Sequence, residues 1–249
     1  LIERLLPPQH KVLIVPIDHG LTMGNLPGLE EPERLLQCLI DLGIDGTLLS
    51  PGLARRLAPV WRGRLSVTLT LDFQLLGERP GASQGVQEVA RIASPATAQQ
   101  LGVDAVKMLM VWGVRDEVVT KNIELIAQTI EEARTAGLPV MVEPLWFGRP
   151  LPPEEFEAFV IHAARIAVEL GAEILKIPVV SPQALEQITR WGVPVLFLGG
   201  SLQQDPEPLF KAIRAGLAHG VRGLVMGRNV WQNPNMEALI SQLKDWLIS

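Results

Sequence analysis

The sequence is poor in the features that mark several protein classes. It holds one cysteine, Cys38, so no intrachain disulfide or cysteine-rich metal site can form. Cys38 lies in the helical pattern Glu33-Arg34-Leu35-Leu36-Gln37-Cys38-Leu39-Ile40, which predicts a buried thiol rather than a nucleophile. No clustered His, Cys and Glu side chains have ligand spacing, so no metal is expected. No segment reaches about 18 consecutive apolar residues, and no long apolar run follows a basic start, so a soluble, cytoplasmic chain without membrane contact is expected. Net charge is -5, the basic residues are scattered, and the six Trp do not cluster with Lys and Arg, which argues against nucleic acid as a partner. No Gly-x-Gly-x-x-Gly follows the first apolar run, and no linker-like composition divides the chain.

What remains is a chain of 249 residues, 47% hydrophobic, with enough apolar mass for a large core. Strand-like runs fall at Val12–Ile17, Gly46–Ser50, Leu65–Leu71, Val103–Met110, Pro139–Pro144, Glu173–Val179, Pro194–Leu198 and Gly223–Met226. Helical patterns lie between them at Glu30–Leu42, Ser94–Leu101, Asp116–Ala136, Glu154–Leu170, Ser181–Trp191, Pro206–His219 and Pro234–Ile248. Six short motifs recur at helix-to-strand junctions: Gly-Ile-Asp-Gly, Gly-Val-Asp-Ala, Gly-Leu-Pro-Val, Gly-Ala-Glu-Ile, Gly-Val-Pro-Val and Gly-Val-Arg-Gly. Glycine there fits the left-handed position that closes a helix. Eight strands alternating with helices predict an α/β fold, a single-domain (β/α)8 TIM barrel spanning residues 1–249, in preference to a doubly wound sheet. Asp72–Glu88, rich in Gly and Gln, reads as a long loop after the third strand, on the catalytic face.

Lys176 stands inside the apolar run Ile174–Val180, where an ammonium costs several kcal/mol unless it is paired or loses its proton. It is either a structural ion-pair member or a nucleophile able to form a Schiff base. Strand phase groups it with other charges: Lys107 on the fourth strand, Glu143 on the fifth, Asp18 on the first and Asp72 on the third. All five fall at the C-terminal halves of strands, which converge at one mouth in a barrel. Lys107 is the candidate for lowering the pKa of Lys176 by like-charge repulsion, and Glu143 or Asp18 can move protons. His19, next to Asp18, is read either as a substrate ligand or as a structural residue. His162 and His219 read as surface or packing residues, and Asp205 and Glu207 as capping charges.

Gly199-Gly200-Ser201 follows the seventh strand and Gly227-Arg228-Asn229 the eighth. Glycines there let backbone N–H groups approach an anion, Arg228 adds charge, and these two loops are the usual phosphate site of barrel enzymes.

Pro16-Ile17-Asp18-His19-Gly20, Ile174-Leu175-Lys176, Leu198-Gly199-Gly200 and Val225-Met226-Gly227-Arg228-Asn229-Val230, in this order, resemble the class I aldolases of the DeoC/FbaB/LacD group, from about residue 10 to the C-terminus. The group includes archaeal-type fructose-bisphosphate aldolases and tagatose-1,6-bisphosphate aldolase. The resemblance implies Lys176 as the Schiff-base residue, Asp18 as a site residue and the two glycine segments as phosphate loops. It implies a phosphorylated ketose as substrate, no cofactor, and a homo-oligomer, although no interface is legible in the sequence. Archaeal-type enzymes carry Tyr-Pro-Arg-Gly after the fifth strand; here Val142-Glu143-Pro144-Leu145-Trp146 stands there, and Glu143 together with Lys107 looks more like the tagatose-1,6-bisphosphate enzyme. The sugar is left open. Alternatives on the same scaffold are transaldolase-like transfer, as in the aminodideoxyheptulosonate synthases, thiolase-like acyl transfer, and a non-catalytic sugar-phosphate-binding protein.

Overall fold

The computed structural model describes residues 2–77, 85–200 and 205–248. Among the described residues ten strands form: β1 (Val12–Ile14), β2 (Gly46–Leu49), β3 (Ser66–Thr70), β4 (Asp72–Leu76), β5 (Val86–Arg91), β6 (Ala105–Trp112), β7 (Val140–Trp146), β8 (Ile174–Ile177), β9 (Val195–Leu198) and β10 (Gly223–Val225). Eight of them close a parallel barrel in the order β1-β10-β9-β8-β7-β6-β3-β2. The (β/α)8 expectation therefore holds, with the predicted fourth to eighth strands as β6 to β10.

Helices form where the sequence supplies starts and stops. Helices Pro51–Arg56, Pro95–Leu101 and Pro182–Thr189 each begin with Ser-Pro. In each, the Ser side chain accepts from the backbone N–H of Leu53, Thr97 or Ala184, while Pro presets φ at the first helical position. The six junction glycines, Gly43, Gly102, Gly137, Gly171, Gly192 and Gly220, all adopt φ between 68° and 102°, the left-handed stop that a Cβ disfavours.

Two apolar layers result from the strand period. Leu13, Val15, Leu69, Val106, Val142 and Leu175 face the helices in the main core, while Ile14, Leu48, Ala105, Met141, Ile174 and Leu196 fill the barrel interior. The interior floor is closed by Leu5 and Leu6, at the end of helix Ile2–Leu5. Acids at the strand starts satisfy neighbouring backbone there. Asp45 Oδ2 accepts from Leu13 N at 2.8 Å, Asp104 Oδ2 from Val67 N at 2.9 Å, and Glu173 Oε2 from Val140 N at 3.3 Å. Above this floor the interior turns polar.

Three expectations need correction. The stretch Asp72–Glu88 contains an antiparallel hairpin rather than a plain loop, because Phe73 pairs with Ala90, Gln74 with Val89 and Leu75 with Glu88 while Val86 and Val89 are buried. Residues 78–84 of that stretch lie outside the described residues. Cys38 is exposed, since helix Pro32–Asp41 buries Leu36 and Leu39 and turns the intervening face outward. Between β2 and β3, where no helix is predicted, the short helices Pro51–Arg56 and Ala58–Trp61 pack; they are too short to show a period.

Candidate active site

The parallel register lifts charged side chains to one level at the C-terminal ends of the strands. Thr70 on β3 is in register with Lys107 on β6, and Leu109 with Glu143 on β7. Alternation then points Lys107, Glu143 and Lys176 inward above Ala105, Met141 and Ile174, the apolar layer of the interior.

Glu143 bridges the two amines. Its Oε1 lies 2.8 Å from Lys176 Nζ and its Oε2 3.1 Å from Lys107 Nζ. All three residues are buried, with relative exposures of 6% for Glu143, 7% for Lys176 and 5% for Lys107. Burial alone would push the Glu143 carboxyl up, but the two ammonium groups outweigh it and hold its pKa at about 2. Burial works against the charge of Lys107, yet Glu143, Asp72 and Asp18 together raise its pKa above the ordinary lysine value. A carboxylate thus sits between the two lysines, where the sequence suggested only repulsion between them.

Asp72 lies behind Lys107 instead of on the cavity wall. Its Oδ2 accepts from Leu109 N at 2.7 Å and from Gln74 Nε2 at 2.8 Å, and its Oδ1 is 4.0 Å from Lys107 Nζ. Burial raises its pKa to about 6 against the pull of Lys107 and the Leu109 N–H. In this position it supports Lys107, and the cavity-lining residues do not include it.

Asp18 Oδ2 accepts from Thr70 Oγ1 at 2.5 Å. His19 Nδ1 is 3.6 Å from Asp18 Oδ1, and this buried nitrogen has no hydrogen-bond partner. The ring stands edge-on to Trp231 with centroids 5.5 Å apart. Burial lowers the His19 pKa to about 4, and the neighbouring Asp18 does not restore it, so the imidazole is neutral near pH 7.

Lys176, Lys107, Glu143, Asp18, His19 and Arg228 all line one cavity of about 200 Å³ at the barrel mouth. That is below the roughly 300–1,000 Å³ usual for drug-sized ligands and suits a small metabolite. Arg228 Nε is buried without a hydrogen-bond partner, and burial works against the charge of its guanidinium, so an incoming anion would satisfy both.

The glycine loops divide. Asn229 Nδ2 donates to Gly199 O at 2.8 Å, tying the loop after β9 to the loop after β10. The Gly199 N–H is itself used in the sheet, donating to Val225 O at 3.2 Å. A Cβ on Gly227 would stand 2.6 Å from His19 Cε1, so glycine there makes room for the histidine ring. Gly199, Gly200 and Gly227 do not line the cavity, and Ser201 lies outside the described residues. Sequence reasoning missed Thr22, Gln74 and the apolar lining residues; Thr70 was legible only through its phase on β3.

Comparison with known proteins agrees with this architecture. Residues 12–233 match the DeoC/LacD family aldolase profile. A class 1 fructose-bisphosphate aldolase of Thermoproteus tenax is 30% identical over 92% of this chain and 86% of its own. A 2-amino-4,5-dihydroxy-6-oxo-7-(phosphonooxy)heptanoate synthase of Streptomyces griseus is 29% identical over 94% of this chain and 84% of its own. Among solved structures, an archaeal fructose-1,6-bisphosphate aldolase whose catalytic Lys is covalently bound to the carbinolamine intermediate superposes with a TM-score of 0.83 at 26% identity, covering 100% of this chain and 98% of that one. The barrel, the amine-bearing mouth and the match across most of the sequence lead to one assignment: the chain belongs to the DeoC/LacD family of aldolases.

Proposed function

We infer that the protein is a class I, Schiff-base-forming aldolase that cleaves or forms a phosphorylated ketose. The observation that carries this reading is the buried Lys176 Nζ, 2.8 Å from a carboxylate that a second amine keeps ionised, opening onto a cavity with an unsatisfied Arg228.

Lys176 attacks as the neutral amine, so its proton must first leave, and Glu143 Oε1 is positioned to take it. The amine adds to the ketone carbon to give a carbinolamine. Glu143 returns the proton to the departing hydroxyl, which leaves as water and yields an iminium. In cleavage, Glu143 takes the proton of the hydroxyl beside the scissile bond, the bonding pair flows into the iminium, and an aldehyde departs from an enamine. Protonation of the enamine carbon and hydrolysis by water restore Lys176. The iminium is the electron sink, so the chemistry calls for no metal.

Each neighbour has a derived task. Lys107 holds Glu143 in place through their 3.1 Å pair while Glu143 exchanges protons with Lys176 and substrate, and can donate to a substrate hydroxyl. Neutral His19 and Asp18 bind substrate oxygens or assist dehydration. Arg228 pairs with the phosphate. No helix among the described residues is long and apolar enough to cross a membrane. A phosphorylated sugar as substrate, a cytoplasmic setting and assembly into a homo-oligomer complete the reading; light scattering of the purified protein checks the last.

The test is inactivation. Purified protein is incubated with dihydroxyacetone phosphate and borohydride, then assayed with a panel of phosphorylated ketoses in EDTA. At least one ketose should be cleaved before reduction, and activity should be lost only when ketone and borohydride are both present. Activity that survives reduction would contradict a Schiff base.

A further inference from the structure

The two sides of the cavity differ in kind. Around the barrel, β10 stands opposite β6, and β9 opposite β3. Arg228 comes from the β10 side. Facing it are Leu109 on β6, Leu145 and Phe147 at and just beyond the end of β7, and Leu76 on the hairpin that follows β3. Leu21 and Met23 extend the same lining from helix Gly20–Met23, which is tied to the hairpin by Thr22 Oγ1 donating to Gln74 Oε1 at 3.4 Å.

This wall is built on a core of its own. Leu109 is buried together with Val86, Val89, Val111 and Val118, and Leu76, Leu145 and Phe147 pack against that cluster, separate from the main core of the barrel. It is therefore preformed. The cations among the described lining residues are Lys107, Lys176 and Arg228. The two lysines share Glu143, which leaves Arg228 as the partner for one phosphate.

We propose that the aldehyde handled by this enzyme is uncharged and apolar, so that the ketose carries a phosphate only on its ketone-side fragment. This rests on the aldolase reading above and names its substrate class. Against Leu76, Leu109, Leu145 and Phe147 a phosphate on the aldehyde fragment would be desolvated with no counter-charge among the described residues of this wall, whereas an alkyl chain there gains burial. In the synthetic direction, the enamine carbon on Lys176 attacks the aldehyde carbon and forms the new C–C bond. The carbonyl π pair moves to oxygen, which takes the proton from the Glu143 carboxyl, and the iminium re-forms. Water then releases the product and frees Lys176.

The test holds the donor fixed. Dihydroxyacetone phosphate is condensed with butanal or with glyceraldehyde 3-phosphate, and kcat/KM for each aldehyde is measured by donor consumption. Butanal should be preferred by at least about 10-fold, the scale of apolar-pocket discrimination. Equal use of the two, or a preference for glyceraldehyde 3-phosphate, would overturn the proposal. Leu145→Lys, at a partly buried position, should shift the ratio toward glyceraldehyde 3-phosphate by about 10-fold or more; an unchanged ratio in the folded variant would also overturn it. Failure of donor trapping by borohydride would instead overturn the aldolase reading, and this inference with it.

Discussion

Carboxylates stand at both ends of the barrel strands, and their partners set them apart. At the floor, Asp45 and Asp104 accept from backbone N–H groups, and Asp104 Oδ1 also meets Arg4 Nε at 2.9 Å. At the mouth, Glu143 accepts from two ammonium groups. Both Asp104 and Glu143 are buried, yet their acidities move in opposite directions. Burial raises the Asp104 pKa, and neither the Val67 N–H nor Arg4 undoes it; two ammonium groups hold Glu143 at about 2. A backbone dipole completes a structure, whereas an amine can exchange a proton. The floor is built for stability and the mouth for chemistry.

The largest effect expected is at Lys176. Lys176→Arg keeps a cation beside Glu143 and removes the nucleophile. Steady-state assays should show kcat falling by on the order of 10⁴ or more. A residual rate above a hundredth of wild type would blur the division between the two ends.

Glu143→Gln should lower kcat by about 10²- to 10⁴-fold, the usual range for a general acid or base. It also tests the opposite acidities. Because the folded-state pKa of Glu143 is depressed from 4.5 to about 2, its stabilisation is complete above 4.5 and is lost as pH falls from there through 2. Urea unfolding between pH 3 and 6 should therefore be less pH-dependent in Glu143→Gln. For Asp104, raised above its ordinary 3.8, the sign reverses, and its contribution falls as pH rises through the folded-state value. Asp104→Asn should remove that opposing trend.

Asp104→Ala leaves the Val67 N–H and Arg4 without this partner, and should cost about 1–3 kcal/mol of unfolding free energy with kcat within twofold of wild type. Asp45→Ala should cost less, about 0.5–1.5 kcal/mol, because the Asp45 side chain is 32% exposed and water can replace it. If Asp45→Ala proved the more destabilising of the two, burial would not be what ranks the floor acids.

The mouth was the more legible end in the sequence. Lys107, Glu143 and Lys176 interrupt apolar runs in phase, which is a conspicuous pattern, and Asp18, His19 and Arg228 reach the same cavity. Asp72 shared that pattern, but the chain turns at Leu71 into the hairpin, and its carboxylate goes to Leu109, Gln74 and Lys107. Gly227 was read as room for an anion, while its nearest neighbour is the His19 ring; spacing alone does not distinguish a ligand from a side chain. The apolar wall was invisible because Leu109 and Leu145 in a strand read as core, and only the closed barrel shows which of them border a cavity. The floor acids were seen as parts of the repeated junction motifs, but their hydrogen bonds cross to the neighbouring strand and cannot be read within one motif.

The most direct test of the account is peptide mapping by mass spectrometry after borohydride reduction with dihydroxyacetone phosphate. A single reduced adduct is expected, on Lys176. An adduct on Lys107 with Lys176 unmodified would contradict it and exchange the roles of the two lysines.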